Sequence, residues 1–150
     1  MSQSDPIRVY VTHLWQVGDD YLRVFEYLES ARNFRYVSSS APEQRPVGDK
    51  EALKEGFRTQ IAPAEAVIAL ASLDDQDRDL LRFQLLYTQA CQKPVILLAR
   101  FGEPRPIPRE LTELASETVE WDERALVDAV RRQARHEDTT RWDVVEFKLD

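Results

Sequence analysis

Gln84 is a polar amide placed on an apolar helical stripe. It sits in the run from Phe83 to Leu98, which reads as an amphipathic helix passing directly into a buried strand. Leu80, Phe83, Tyr87 and Cys91 fall at helical spacing and are expected to share one core-facing side with Gln84. A buried amide without partners costs roughly 1–3 kcal/mol, so this side chain must bond to protein or to ligand. What it offers is hydrogen bonding without charge. His13 is a second chemical candidate, in Thr12-His13-Leu14-Trp15 just after an apparent first strand. It either closes that strand as a polar residue or contacts a substrate. His13 and His136 are the only histidines and no Cys/His cluster has metal-ligand spacing, so no metal is expected.

The elements that position these residues follow from patterning. Ile7–Val11 is a β-rich first strand. Gly18-Asp19-Asp20 opens a helix carrying Tyr21, Val24, Phe25 and Leu28. Phe34–Val37 is a short second strand, and the Ser- and Pro-containing stretch Ser38–Gly48 is a long loop. Asp49 caps a helix to about Ala62, and the apolar run Ala66–Ala71 is a strand buried on both faces. Asp74 or Asp75 is expected to cap the helix of about Gln76–Gln92, and Val95–Ala99 is the fourth strand. A short helix around Arg109–Leu114, a strand at Thr118–Glu120 and a final helix capped by Asp122 complete the pattern. Residues 135–150 form an extension in which Trp142–Leu149 either adds a strand or packs on the domain.

Five strands alternating with helices imply an α/β fold with a parallel, flavodoxin-like sheet of order 2-1-3-4-5 and helices on both faces. Ligands of such sheets bind at the carboxyl ends of the strands, where the winding reverses. Thr12, His13, Leu14 and Trp15, then Ser72, Leu73 and the helix bearing Gln84, and the loop Ser38–Pro46 are expected there, with His13 and Trp15 facing Gln84 across a pocket.

Composition sets bounds. The chain has 150 residues, enough for one domain with a sizeable core. A net charge of −7 disfavours nucleic acid and anionic membrane as partners. Cys91 is the only cysteine, so no internal disulfide can form. No leader or membrane span is evident, and a cytosolic protein is expected. A phosphorelay receiver is excluded because Thr12-His13 and Ser72 stand where its acidic residues are needed. A flavodoxin is excluded because Leu14-Trp15-Gln16 cannot form its phosphate loop.

Five pieces in order resemble a known family. They are Val9-Tyr10-Val11-Thr12-His13-Leu14-Trp15, Asp20-Tyr21-Leu22, the segment Phe34–Pro42, Phe83-Gln84 leading to Lys93-Pro94-Val95-Ile96, and Val119-Glu120-Trp121-Asp122. Together, over about residues 7–134, they resemble the Toll/interleukin-1-receptor-like (TIR-like) domain of bacterial Thoeris antiphage systems. Two departures stand out: Ser38 where Asn is common, and Gln84 where the family has a catalytic Glu. The resemblance implies cleavage of the nicotinamide–ribose bond of NAD, with the ADP-ribose part becoming a signal that reaches an effector protein. The transition state is oxocarbenium-like and is stabilised by a carboxylate. Gln84 and His13 take the catalytic positions. Thr12, Trp15, Asp20, Ser38, Ser40 and Phe83 take substrate-binding ones. NAD or an ADP-ribose-derived nucleotide is the implied ligand, and a homo-oligomer the implied assembly.

The identity of residue 84 leaves three explanations open. Glu was replaced by its isostere deliberately; the chain is a natural pseudoenzyme; or another acid, such as Asp79, acts instead. If Gln84 stands in for Glu, restoring the acid is expected to raise cleavage by roughly 10²–10⁴-fold. A non-catalytic interaction or nucleotide-binding module is the alternative, and a nucleoside deoxyribosyltransferase-like enzyme a third. Plainer roles stand beside the functional ones. Trp15 can be core, Ser38–Ser40 turn residues and Asp19 and Asp20 helix-start charges. Tyr87 and Cys91 read as core. The acidic run Asp74–Asp79 reads as a solvated cap pointing away from any nucleotide.

Overall fold

The computed structural model describes residues 5–137. Its sheet has five parallel strands in the order β2-β1-β3-β4-β5, the flavodoxin-like arrangement. The strands are β1 (Ile7–Val11), β2 (Tyr36–Ser38), β3 (Ala66–Leu70), β4 (Val95–Leu98) and β5 (Glu117–Val119). The helices are α1 (Asp19–Ser30), α2 (Lys50–Ile61), α3 (Arg78–Ala90), α4 (Arg109–Leu114) and α5 (Glu123–Arg135). Every residue of β3 and β4 is buried, as helices on both faces require. α1 packs with α5, and α2 with α3. Segment 138–150, including Trp142–Leu149, lies outside the described residues. The expected division at residue 134 falls inside α5. Among the described residues no helix is long and apolar enough to cross a membrane.

Side-chain caps fix the helix starts. Asp49, Asp77 and Asp122 each accept a hydrogen bond from the backbone three residues on. The cap of α3 is therefore Asp77, not Asp74 or Asp75. Ala71–Asp75 curls into a 3₁₀ turn first, which delays the helix to Arg78. Asp74 is buried in that turn and bonds Arg82 at 3.2 Å. The acidic run is thus partly internal rather than a solvated cap.

The core face of α3 is also rotated from the expected stripe. Leu80, Leu81, Gln84, Leu85 and Thr88 are buried, whereas Phe83 and Tyr87 are half-buried and Cys91 is exposed. α3 packs against β4 as well as α2. Phe83 and Tyr87 stack on the flank at 6.1 Å, with Arg58 of α2 over the Phe83 ring at 5.2 Å.

One packing contact governs the loop after β1. Trp15 stacks on Phe57 at 4.7 Å and fills a slot left by Gly56 in α2. A Cβ at Gly56 would lie 2.8 Å from Trp15 Cη2 and 2.6 Å from Pro46 Cγ. In an open helix, Gly→Ala stabilises by about 1 kcal/mol. Here overpacking of about 1–3 kcal/mol opposes it. Gly56→Ala is therefore expected to lower the thermal midpoint, and a rise in that midpoint in a melting experiment would refute the slot.

Candidate functional site

The end of β1 is held from behind by Gln84. Its Oε1 accepts from the Tyr10 hydroxyl at 2.7 Å and from the His13 backbone N–H at 3.4 Å. Its Nε2 donates to the carbonyls of His13 at 2.9 Å and Leu80 at 3.2 Å. Both acceptor and both donor positions of the amide are used, and the side chain has no solvent exposure. Burial also pushes the Tyr10 hydroxyl well above its ordinary pKa, so it stays a donor. Gln84 therefore does not face a pocket with His13 and Trp15 across from it. It touches the His13 backbone, not the ring, and binds protein rather than ligand, because Leu80 and Gln84 share one turn of a core-facing helix.

His13 is locked in one tautomer. Its Nδ1 accepts from the Trp15 backbone N–H at 3.1 Å, so the ring proton sits on Nε2 and is donated to Gln60 Oε1 at 2.9 Å. Gln60 then clasps Ala41 through both its backbone groups, at 2.9 and 3.0 Å. Burial lowers the His13 pKa to about 4, despite opposing contributions from the Gln60 bond and the charge of Glu43. Protonation would turn Nδ1 into a second donor facing the Trp15 N–H. With both nitrogens engaged, His13 has no free lone pair for general-base work in this arrangement.

A cavity of about 330 Å³ opens in front of these residues, at the carboxyl ends of β1, β3 and β4. Of the residues the sequence placed there, Thr12, His13, Asp20, Ser72 and Leu73 line it. Thr12 uses its hydroxyl oxygen to accept from Leu70 N–H at 3.0 Å, tying β1 to β3. Asp20 pairs with Arg23 at 2.8 Å. Trp15, Ser38, Ser40, Phe83 and Gln84 are not among the lining residues. Trp15 is core, and its ring N–H has no partner. Ser40 reaches the cavity only through Tyr21, whose hydroxyl lies 2.9 Å from Ser40 Oγ, while Ser38 Oγ lies 2.6 Å from the same atom. Phe83 sits on the α2–α3 seam. Asp79 is exposed, away from the cavity, and pairs with Lys50 at 3.4 Å.

Sequence reasoning missed Asp75, Arg100 and Phe101, which also line the cavity. Arg100 and Phe101 follow β4 directly, so the rule that ligands meet strand ends could have found them. Asp75 takes two bonds from the Arg100 guanidinium, at 2.7 and 3.0 Å. That guanidinium, then Arg105, holds the Asp75 carboxyl below its ordinary range. Glu103 is held low mainly by Arg105. Of the four lining acids, Asp20, Asp75 and Glu103 are each paired with an arginine, and Asp19 has no ion pair among the described residues. Hollows of about 560 and 570 Å³ lie at the opposite ends of the strands, beside Phe34 and beside Glu65. They are larger, but they lie away from the ends where the sheet's winding reverses. Among the described residues no acid, histidine and cysteine cluster could hold a metal.

No known family profile matches the chain, and no curated protein matches it. Among solved structures, a conserved protein from Enterococcus faecalis V583 is similar, with a TM-score of 0.56 and 9% identity over 85% of this chain and 98% of that one. At that identity the likeness concerns the fold alone.

Two outcomes follow from this geometry. The first concerns Gln84→Glu. One carboxyl oxygen would keep the Tyr10 and His13 donors, but the other would face the carbonyls of His13 and Leu80 and needs a proton. The folded-state pKa of that Glu is raised above its unfolded value near 4.3. The stability those bonds give is therefore complete below about pH 4.3 and shrinks as pH rises toward the raised folded-state value, while the carboxyl itself stays protonated. Urea titrations should show Gln84→Glu destabilised by about 1–3 kcal/mol at neutral pH, with the gap to the parent narrowing toward pH 4. A gap independent of pH would argue against the bracket. The second concerns His13, whose pKa is lowered instead. The stability tied to its neutral form is complete above about pH 6.5 and is lost as pH falls toward 4. The full difference is on the order of 3 kcal/mol. An NMR titration of the His136→Gln variant should show the His13 ring neutral at pH 5.5; a midpoint near 6.5 would contradict its locked tautomer.

Proposed function

We propose that this chain is a TIR-like nucleotide-binding domain that takes the nicotinamide–ribose end of NAD into the cavity beside Thr12 and His13, and cleaves it slowly or not at all. The family reading rests on the ordered sequence pieces described above. The location rests on one observation: the cavity stands at the carboxyl ends of β1, β3 and β4, on the side of the sheet where this winding receives ligands. Its size is at the low end of ligand pockets, about 300–1,000 Å³, which suits one half of a dinucleotide. Its wall of hydroxyl, amide and carboxylate groups suits a sugar.

Weak catalysis follows from charge. An oxocarbenium-like transition state needs a carboxylate whose charge is not already compensated. Position 84 offers a neutral amide whose bonds all go to protein. Three of the four lining acids, Asp20, Asp75 and Glu103, are held by arginines, and the fourth, Asp19, is exposed in the first turn of α1, where water screens its charge. Restoring Glu at position 84 is expected to add little turnover, because the bracket would keep that carboxyl protonated and turned from the cavity. This revises the gain anticipated from the family motif alone. A role in antiphage signalling then runs through binding, assembly with itself, or a partner that completes the site.

Calorimetry and product chromatography test this together. Gly18 lines the mouth, and nothing lies within 4 Å of the position its Cβ would take. Gly18→Trp therefore adds a bulky ring at a lining position where its Cβ meets no clash. The parent should bind NAD saturably and release little nicotinamide, and Gly18→Trp should lose at least tenfold in affinity. Absence of NAD binding by the parent, or binding untouched by Gly18→Trp, defeats the proposal. Cleavage of nucleosides but not NAD would reassign the chain to the deoxyribosyltransferase chemistry.

A further inference from the structure

Phe101 is an aromatic ring kept half in solvent at the rim of the cavity, at 45% exposure. It is not loose. The Arg23 guanidinium lies over the ring at 3.7 Å from its centroid, and Trp121 meets it edge-on at 5.6 Å. Both neighbours are anchored. Arg23 is bonded to Asp20 at 2.8 Å, and the Trp121 ring N–H donates to the Ala99 carbonyl at 2.7 Å. Tyr27 backs Trp121 at 5.5 Å. Gly102 follows with φ 72, a left-handed turn that lets the chain leave while Phe101 stays at the rim.

Leaving a ring this exposed sacrifices burial that would otherwise stabilise the fold. Fixing its orientation costs further freedom. An ordered, solvent-facing ring beside a polar cavity is the geometry that receives a flat ligand ring by stacking. Arg23 adds a selection. A cation over one face draws the π electrons toward it and leaves less negative charge for a partner on the other. A second cation, such as the nicotinamide ring of NAD, is then disfavoured, and a neutral base is favoured.

We propose that Phe101 is the stacking platform for the adenine base of the ligand at the mouth of the cavity. Resting on the NAD reading above, it orients the dinucleotide with adenine outside and the nicotinamide–ribose end inward, toward Thr12 and His13. Phe101 touches the ligand and discriminates between its two rings; it takes no part in bond breaking.

The test titrates adenosine, nicotinamide riboside and NAD into the parent, Phe101→Ala and Phe101→Trp. Phe101→Ala should weaken adenosine and NAD about tenfold, in line with base–aromatic stacking, and leave nicotinamide riboside unchanged. Phe101→Trp should restore both affinities and gain a fluorescence quench on adding adenosine that the parent lacks. Rescue by Trp separates stacking from a folding defect in the Ala variant. NAD binding that Phe101→Ala leaves untouched, or a loss confined to nicotinamide riboside, overturns the platform alone. Failure of the parent to bind any of the three overturns the NAD reading and the platform with it.

Discussion

The four hydrogen bonds of the Gln84 amide hold the end of β1 against α3, and the arrangement of the cavity depends on them. Strand ends are where backbone pairing stops, so the groups just beyond β1 need other partners. Tyr10, the His13 backbone and Leu80 all find theirs in one side chain. With the His13 backbone fixed, its ring can reach Gln60, and Gln60 can clasp Ala41 in the loop after β2. One chain of bonds therefore joins α3, β1, α2 and the β2–α2 loop. Every atom in it is neutral. Neutrality suits the burial, since a charge placed there would need compensation that the surroundings do not supply.

Charge is kept instead at the cavity rim, and there all but Asp19 of its acids are paired. Asp20 faces Arg23, and Asp75 faces Arg100 and Arg105. The anionic phosphates of a nucleotide would therefore meet mostly paired ions there, with Asp19 the one unpaired acid among the described lining residues. Arg100 is buried with its Nη1 unpartnered. The pairs also tie elements together: Asp75 of the 3₁₀ turn to the loop after β4, and Arg23 of α1 to Phe101.

The sheet order and the existence of most elements were legible because hydrophobic runs and caps are local signals. Ala66–Leu70 and Val95–Leu98 are unbroken apolar runs, and only a strand covered on both faces suits them. Asp49 and Asp122 sit just before amphipathic stretches and do cap them. What failed depends on side-chain direction. A 3₁₀ turn after β3 shifted the start of α3, and the face carrying Phe83, Tyr87 and Cys91 turned away from the sheet. β2 begins two residues later than expected, at Tyr36, and β5 one earlier, at Glu117. For the site, the strand-end rule located Thr12, His13, Ser72 and Leu73, and the sequence resemblance added Asp20. The rule was applied to β1–β3 but not to β4, so Arg100 and Phe101 went unnoticed. Asp75 was hidden because an acid in an acidic run looks solvated until its arginine is known, and that arginine lies 25 residues away.

Gln84 shows why a motif position and a chemical role must be separated. In sequence, an amide in place of an acid looks like a charge removed from otherwise intact machinery. In the fold, the neighbours of residue 84 include two carbonyls that require donors. A carboxylate cannot donate, whereas an amide donates twice. The surroundings are therefore complementary to Gln and not to ionised Glu. A site built around a catalytic carboxylate would present donors to both its oxygens, or leave one open to substrate. The amide at position 84 is thus matched by its environment, as part of the scaffold that shapes the cavity rather than a group that acts within it.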